Sequence, residues 1–270
     1  MDFRNYVRSR VGKYRIGIEF GASYNPIVAK KDGFNVYIVD HADEASLREK
    51  YRDHPVDVTR IEPVDAIDDG GELTRLLPEG ERFDYIIASH VFEHLPDPIR
   101  FLQRCTRALK PDGKLYLMLP DRRFTFDYFR PVSTTGAMVR AYLEKRTRHD
   151  PAHLFDHYSM SAERNGAGVW ADLDGGVFSF TGTLEAGYAA ATSLQTDYLD
   201  CHAWIFTPAS FRNIIEELRE INLIEMGEVE FYDSVGCEFF VVLSPNAPSN
   251  LLSRVERAER VVREASRIAT

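Results

Sequence analysis

Across 270 residues the chain carries 33 basic and 42 acidic side chains, a net charge of −9, with 44% hydrophobic and 28% charged residues. That composition excludes a disordered or collagenous chain and suffices for one sizeable core with an insertion. The acidic balance argues against a general nucleic-acid binder, which needs a basic face to neutralise phosphates.

The opening residues, MDFRNYVRSRVGKYR, are charged and lack the apolar stretch of a secretory signal. No apolar run approaches the roughly 20 residues that span a bilayer, so no membrane span is expected. Cys105, Cys201 and Cys237 are odd in number and widely spaced, which suits a reducing, cytoplasmic setting better than a disulfide framework. Tyr14–Phe20 then reads as a short buried strand, followed by a turn at Gly21–Pro26. Asn35–Val39 is a second strand, ending on Asp40. Asp43–Tyr51 is a helix that starts near Asp43 or Ser46. Val58–Val64 is expected as a third strand and Phe83–Ala88 as a fourth. Pro98–Leu109 carries Ile99, Leu102, Cys105 and Ala108 at helical spacing. Lys110–Gly113 marks a turn before a fifth strand at Leu115–Leu119.

From Pro120 to about Ala203 the periodicity is lost, and a partly helical insertion over the site is expected. Thr207-Pro208 opens a helix with Phe211, Ile214, Ile215 and Leu218 on one face. Two further strands at Leu223–Tyr232 and Cys237–Leu243 form a hairpin. In the tail from Asn250, Leu251, Val255, Ala258, Val262 and Ala265 make a heptad stripe. Docking on the chain's own sheet is the plainer use of that stripe, and a homodimer contact the second. The expected division is 1–119, an insertion at 120–205, completion of the core at 206–246 and a C-terminal helix at 247–270. Alternating strands and helices imply an α/β, doubly wound sheet of parallel crossovers.

The chemistry-bearing pattern starts at Ile16–Asn25. A strand ending on Glu19, then Gly21, brings backbone N–H groups close to a nucleotide ligand. Asp40, about 20 residues on, ends the next strand, where a carboxylate takes ribose hydroxyls. The block FDYIIASHVFEHLPDP at 83–98, with LKPDGKL at 109–115 behind it, resembles the class I S-adenosylmethionine-dependent methyltransferases. The resemblance covers roughly the first 120 residues and the last helix and hairpin. It implies a Rossmann-like, seven-stranded sheet with its last strand antiparallel, and S-adenosyl-L-methionine as cofactor. Ser23 and Asn25 stand where that family usually carries its second and third glycines, and Asn25-Pro26 is expected to open the first helix.

By resemblance, Glu19, Gly21, Ala22 and Ser23 line the methionine end of the cofactor and Asp40 the ribose. Asp65-Ala66, or alternatively Ile67-Asp68, sits by the adenine. Ser89 and His90 face the reacting region, with Glu93 and His94 as structural neighbours. His90 is one candidate base. His202 is the other, with Asp200 placed beside it if the segment is a strand. In His153-Leu-Phe-Asp156-His157 the histidines have metal-ligand spacing, but an exposed polar helix face is the plainer reading and no bound metal is expected. Arg122, Arg123, Phe124 and Tyr128 follow the fifth strand, and arginines mixed with aromatics suit a sugar or phosphate-bearing acceptor. The expected activity is O-methylation of a glycan, nucleotide sugar or other small hydroxylated acceptor. A cofactor-binding module without transferase activity is the alternative.

Overall fold

In a computed structural model, residues 2–170, 175–193 and 199–266 are described; Tyr198 and the tail residues 267–270 of the sequence reading lie outside them. Helix α1 (Phe3–Val11) precedes strand β1 (Ile16–Phe20); β2 (Asn35–Asp40), α2 (Glu44–Tyr51), β3 (Ala66–Ile67) and β4 (Phe83–Ser89) follow. After these come α3 (Pro98–Ala108) and β5 (Leu109–Pro120). The inserted segment holds α4 (Thr135–Leu143), α5 (Pro151–Met160), β6 (Ala162–Arg164), β7 (Ala167–Gly168), β8 (Phe178–Phe180) and α6 (Leu184–Thr192). The chain closes with α7 (Pro208–Glu220), β9 (Gly227–Val235), β10 (Glu238–Ser244) and α8 (Arg254–Ser266).

Seven strands form one sheet in the order β3-β2-β1-β4-β5-β10-β9, and β10 runs antiparallel to both neighbours. The strands alternate cleanly between two buried faces. Ile86, Leu117 and Val241 point to a core with Phe92, Leu102, Phe211 and Ile214; Tyr85, Ile87 and Tyr116 point to a second core with Val7, Ile27 and Phe34. Helix starts follow local chemistry. Asp43 accepts from Ser46 N at 2.8 Å, Asp97 from Arg100 N at 3.0 Å ahead of Pro98, and Thr207 forms a capping box with Ser210 ahead of Pro208.

Four expectations are corrected. Val58–Val64 is not a strand. The Asp57 carboxylate accepts from Thr59 N at 3.0 Å and starts a 3-10 turn at Val58–Arg60, Pro63 has no N–H for a ladder, and pairing with β2 begins only at Ala66. No helix opens at Asn25-Pro26. Residues 21–29 are irregular because Glu19 and the arginines of α1 hold their backbone groups: Arg8 reaches Ile27 O, and Arg4 reaches Asn25 O and Pro26 O. Lys110–Gly113 turns within β5 as a bulge, between the Phe83–Leu109 and Tyr85–Lys114 pairs. The tail helix does not dock on the sheet. It lies on α7 by its polar face, Arg257 pairing with Glu220 at 2.5 Å and Arg254 with Glu217 at 3.0 Å. Val255 and Val262 of the expected stripe stay exposed. The insertion also holds a three-stranded antiparallel sheet, β7-β6-β8, whose strands of two and three residues are too short to show a period.

Candidate functional site

At the carboxyl ends of β1, β2 and β4 a cleft of about 1400 Å³ opens, at the point where the strand order reverses. Its wall includes Glu19, Gly21, Ala22, Ser23, Asp40, Ser89 and His90. Gly21 turns the chain out of β1 at φ +59°, and its N–H donates to Val39 O at 2.9 Å. A Cβ there would stand 2.6 Å from Val91 Cγ2, so only glycine fits this approach. Ser23 also has positive φ, +46°; its N–H donates to Asp40 Oδ2 at 3.1 Å, and its buried Oγ has no partner among the described residues. Asp40 is 2% exposed, and its other oxygen accepts from His41 N at 2.8 Å.

Glu19 lies beneath the loop and ties it down. Its carboxylate accepts from Ile27 N at 2.6 Å and Val28 N at 2.9 Å. Burial outweighs these bonds and pushes its pKa from 4.5 up to about 7. Between those values the folded state holds a proton that the unfolded chain has released. Stability supplied by Glu19 is therefore present below about pH 4.5 and lost as pH rises to about 7. Urea midpoints of the ligand-free protein are expected to fall across that window and to fall less in Glu19→Gln; equal slopes in both would refute this.

Asp65 is not at the cleft. Its carboxylate accepts from Ile38 N at 2.6 Å and pairs with Lys30 at 2.5 Å, fastening β3's approach to β2. The wall there is Asp68, Asp69 and Gly70, one short step along the chain. Arg104 of α3 holds Asp68 at 2.6 Å.

His90 also sits at positive φ, +51°, with its N–H on Met118 O at 3.0 Å and its ring 5.4 Å from that of Trp170. Its Nε2 meets Glu238 Oε1 at 3.0 Å and its Nδ1 lies 3.3 Å from Glu93 Oε1. Burial by itself would lower this imidazole, but the two glutamates outweigh it and hold it up to about 10. An imidazole that keeps its proton is poorly suited to taking another.

Asp200 and His202 do not work as a pair, because residues 199–206 form no strand. Asp200 meets His94 Nδ1 at 2.9 Å; His202 Nδ1 meets Asp127 Oδ2 at 2.6 Å, and Arg130 holds the other Asp127 oxygen at 2.7 Å. His153 and His157 are not on an exposed face either. His153 packs its ring edge on Trp204, and His157 Nδ1 accepts from His202 N at 3.3 Å. Burial pushes both down to about 4, so they are neutral at physiological pH.

The arginine–aromatic segment folds on itself instead of lining the cleft. Arg122 donates to Tyr128 O and Arg130 O, both at 2.7 Å; Arg123 pairs with Asp121 at 2.5 Å and stacks over Phe124; Tyr128 stacks on Phe178 at 4.0 Å. The cleft wall also carries Trp170, Tyr232, Val235 and Glu238. Residues that spacing did not single out are Asp127 and Glu238, each brought to a histidine by tertiary structure. No local pattern reaches across the 75 positions from Asp127 to His202.

Residues 16–174 match the family model of a methyltransferase domain, more than half of the chain. The chain belongs to the class I S-adenosylmethionine-dependent methyltransferase family. Curated relatives of this methyltransferase domain include a ubiquinone biosynthesis O-methyltransferase of Coxiella burnetii, 28% identical over 135 residues that cover 48% of this chain and 53% of that protein. Another, of Histophilus somni, is 32% identical over 119 residues, 41% of this chain and 48% of the relative. The chain thus spans about half the length of the curated relatives it matches. Among solved structures it is similar to the CcbJ methyltransferase from Streptomyces caelestis, at 12% identity, covering 90% of this chain and 93% of that one, with a TM-score of 0.46.

Proposed function

We propose that this methyltransferase domain transfers a methyl group from S-adenosyl-L-methionine to the hydroxyl of a small ring-bearing acceptor. The observation that carries the reading is the convergence of Gly21, Ser23, Asp40 and Ser89 on one cleft at the strand-order reversal. The residues fit the cofactor. Gly21 leaves a cradle that a Cβ would fill, and the buried Ser23 Oγ is unpartnered among the described residues. Bound there, the cofactor supplies an electrophilic methyl group on a sulfonium. The chain's residues do the rest: Asp40 accepts from hydroxyls while fixing the Ser23 amide, Glu19 holds the loop's far side, and His90 bridges Glu93 and Glu238. Activation of the acceptor's hydroxyl is assigned to the Glu93, His94 and His202 cluster, of which His94 lines the cleft.

Support for a ring-bearing acceptor comes from Trp170 and Tyr232, which line the cleft and each stack one face on a neighbour, Phe126 and Phe240. O-methylation is supported by the ubiquinone-pathway relatives, and glycan modification by the aromatic wall. A nucleotide sugar loses support because Arg122 and Arg123 are held by the protein itself. A reducing, cytoplasmic setting is supported by three buried, free cysteines, and no helix among the described residues is long and apolar enough to cross a membrane. Homodimerisation through α8 is supported by its outward Val255 and Val262; sedimentation of a Val255→Glu variant as the same species as wild type would remove it.

Titration calorimetry with S-adenosylmethionine tests the central claim. Binding at micromolar cofactor, followed by label transfer to phenolic or sugar hydroxyls, is expected. No binding at millimolar cofactor would overturn it, and binding without any transfer would favour a cofactor-binding module.

A further inference from the structure

Behind the cleft wall, the short turn Phe92–His94 meets the chain leaving the insertion. The two are locked together, because Ala203 N and Trp204 N both donate to Glu93 O, at 2.8 and 3.1 Å. This junction gathers one ligand atom each from Glu93, His94 and His202, all within 4.8 Å of one another. We propose that these three side chains hold a divalent transition-metal ion, zinc foremost, at the cleft wall.

Three observations converge on that site. Glu93 is fully buried, yet neither carboxylate oxygen accepts a hydrogen bond among the described residues. A buried, unsatisfied carboxylate is costly unless a cation meets it. The protonated His90 stands 3.3 Å from Oε1, the same oxygen that faces His94 Nε2, but it forms no hydrogen bond there, so both carboxylate oxygens keep lone pairs for an ion. Next, both imidazoles are backed by carboxylates on Nδ1: His94 by Asp200 at 2.9 Å, and His202 by Asp127 at 2.6 Å. Metal-bound histidines are oriented in this way, the carboxylate fixing the tautomer that leaves Nε2 to the ion. Last, the spacing suits an ion. His94 Nε2 stands 3.9 Å from Glu93 Oε1, while a tetrahedral zinc with bonds of about 2.0–2.1 Å separates its ligands by roughly 3.4 Å. Small side-chain rotations close the set.

The donor types choose the ion. Two imidazole nitrogens with one carboxylate favour zinc or another first-row transition ion over magnesium or calcium, which take oxygen ligands. Three protein ligands leave a position for water or substrate, as in catalytic rather than structural zinc sites. His94 and Asp200 line the cleft, so that position lies at its wall. Resting on the methyltransferase reading, the ion's task is to bind the acceptor's hydroxyl and lower its pKa, the proton passing to solvent water. The set would also clamp the insertion, through His202, to the core turn that carries Glu93.

The test uses the full chain stripped with chelator and dialysed against zinc, with metal content measured by elemental analysis and S-adenosylmethionine binding measured on the same samples. About one zinc per chain is expected. His94→Ala and His202→Ala should each lower the affinity at least tenfold. Asp127→Asn, which keeps all three ligands, should lower it by about ten- to a hundredfold. Cobalt in place of zinc should give a visible absorption band that His94→Ala removes. A folded wild-type chain that binds cofactor but retains no ion, or an ion whose affinity ignores all three substitutions, overturns the inference and leaves the methyltransferase reading standing. An ion retained without cofactor binding would count against that reading alone.

Discussion

Replacing Asp40 with alanine is expected to weaken S-adenosylmethionine binding by at least tenfold. The carboxylate ends β2, is 2% exposed, and lies in the cleft wall beside the turn out of β1. Hydrogen bonds to a charged partner contribute about 1.5–3 kcal/mol each, or roughly ten- to a hundredfold in affinity. Two losses combine in the variant. The cofactor loses an acceptor for its hydroxyls, and the Ser23 amide loses Asp40 Oδ2, the bond that holds the glycine-poor loop in shape. Asp40→Asn separates them, because an amide oxygen can still take the Ser23 N–H while the charge is gone. Its affinity should lie between wild type and alanine. Calorimetric dissociation constants that match wild type in both variants would place the ribose elsewhere.

The sheet was legible where strands are buried on both faces. Segments such as Phe83–Ala88 and Ile16–Phe20, the buried part of the expected Tyr14–Phe20, read as short apolar runs because helices or packed loops cover each side, whereas Tyr14 itself is exposed ahead of the strand. Helix starts at Asp97-Pro98 and Thr207-Pro208 were legible because capping is local chemistry. Strand β3 was not, since two residues have no period and its position is set by Asp65 reaching Ile38 N. Helix α1 is not legible because charge dominates MDFRNYVRSRV, although Val7 and Val11 lie one turn apart and are buried in the second core.

For the site the same division holds. Gly21, Asp40 and Ser89 come together because parallel strands end on one edge, a consequence of topology that spacing can reach. The partners of the histidines could not be reached in that way. Pairing Asp200 with His202 assumed a strand, but the chain there is irregular, and each residue turns to a different element: Asp200 to His94, His202 to Asp127. The arginines at 122 and 123 likewise looked available in a list of residue types, whereas backbone carbonyls and Asp121 occupy them in the fold.

Trp204→Ala is expected to lower stability by about 3–5 kcal/mol, the usual cost of deleting a large aromatic from a packed core. Trp204 is 1% exposed and belongs to the main core cluster; its indole N–H donates to Leu95 O at 2.6 Å, and His153 packs against its ring. Truncation leaves both a cavity and an unpaired carbonyl, so the two costs add. The consequence extends to function, because Trp204 sits where the insertion rejoins the core and its own N–H is bonded to Glu93 O. Loosening that junction should disperse Glu93, His94 and His202 while sparing the β1 and β2 ends that meet the cofactor. Turnover should therefore fall further than cofactor affinity in the fraction that remains folded. Trp204→Phe, which keeps most of the volume but not the indole donor, should cost less, about 1–3 kcal/mol. Urea titrations of the three proteins measure both values. A loss under about 1 kcal/mol for alanine would mean that the insertion is not braced through this ring, and an equal fall in affinity and turnover would mean that the junction and the cofactor cleft are one cooperative unit.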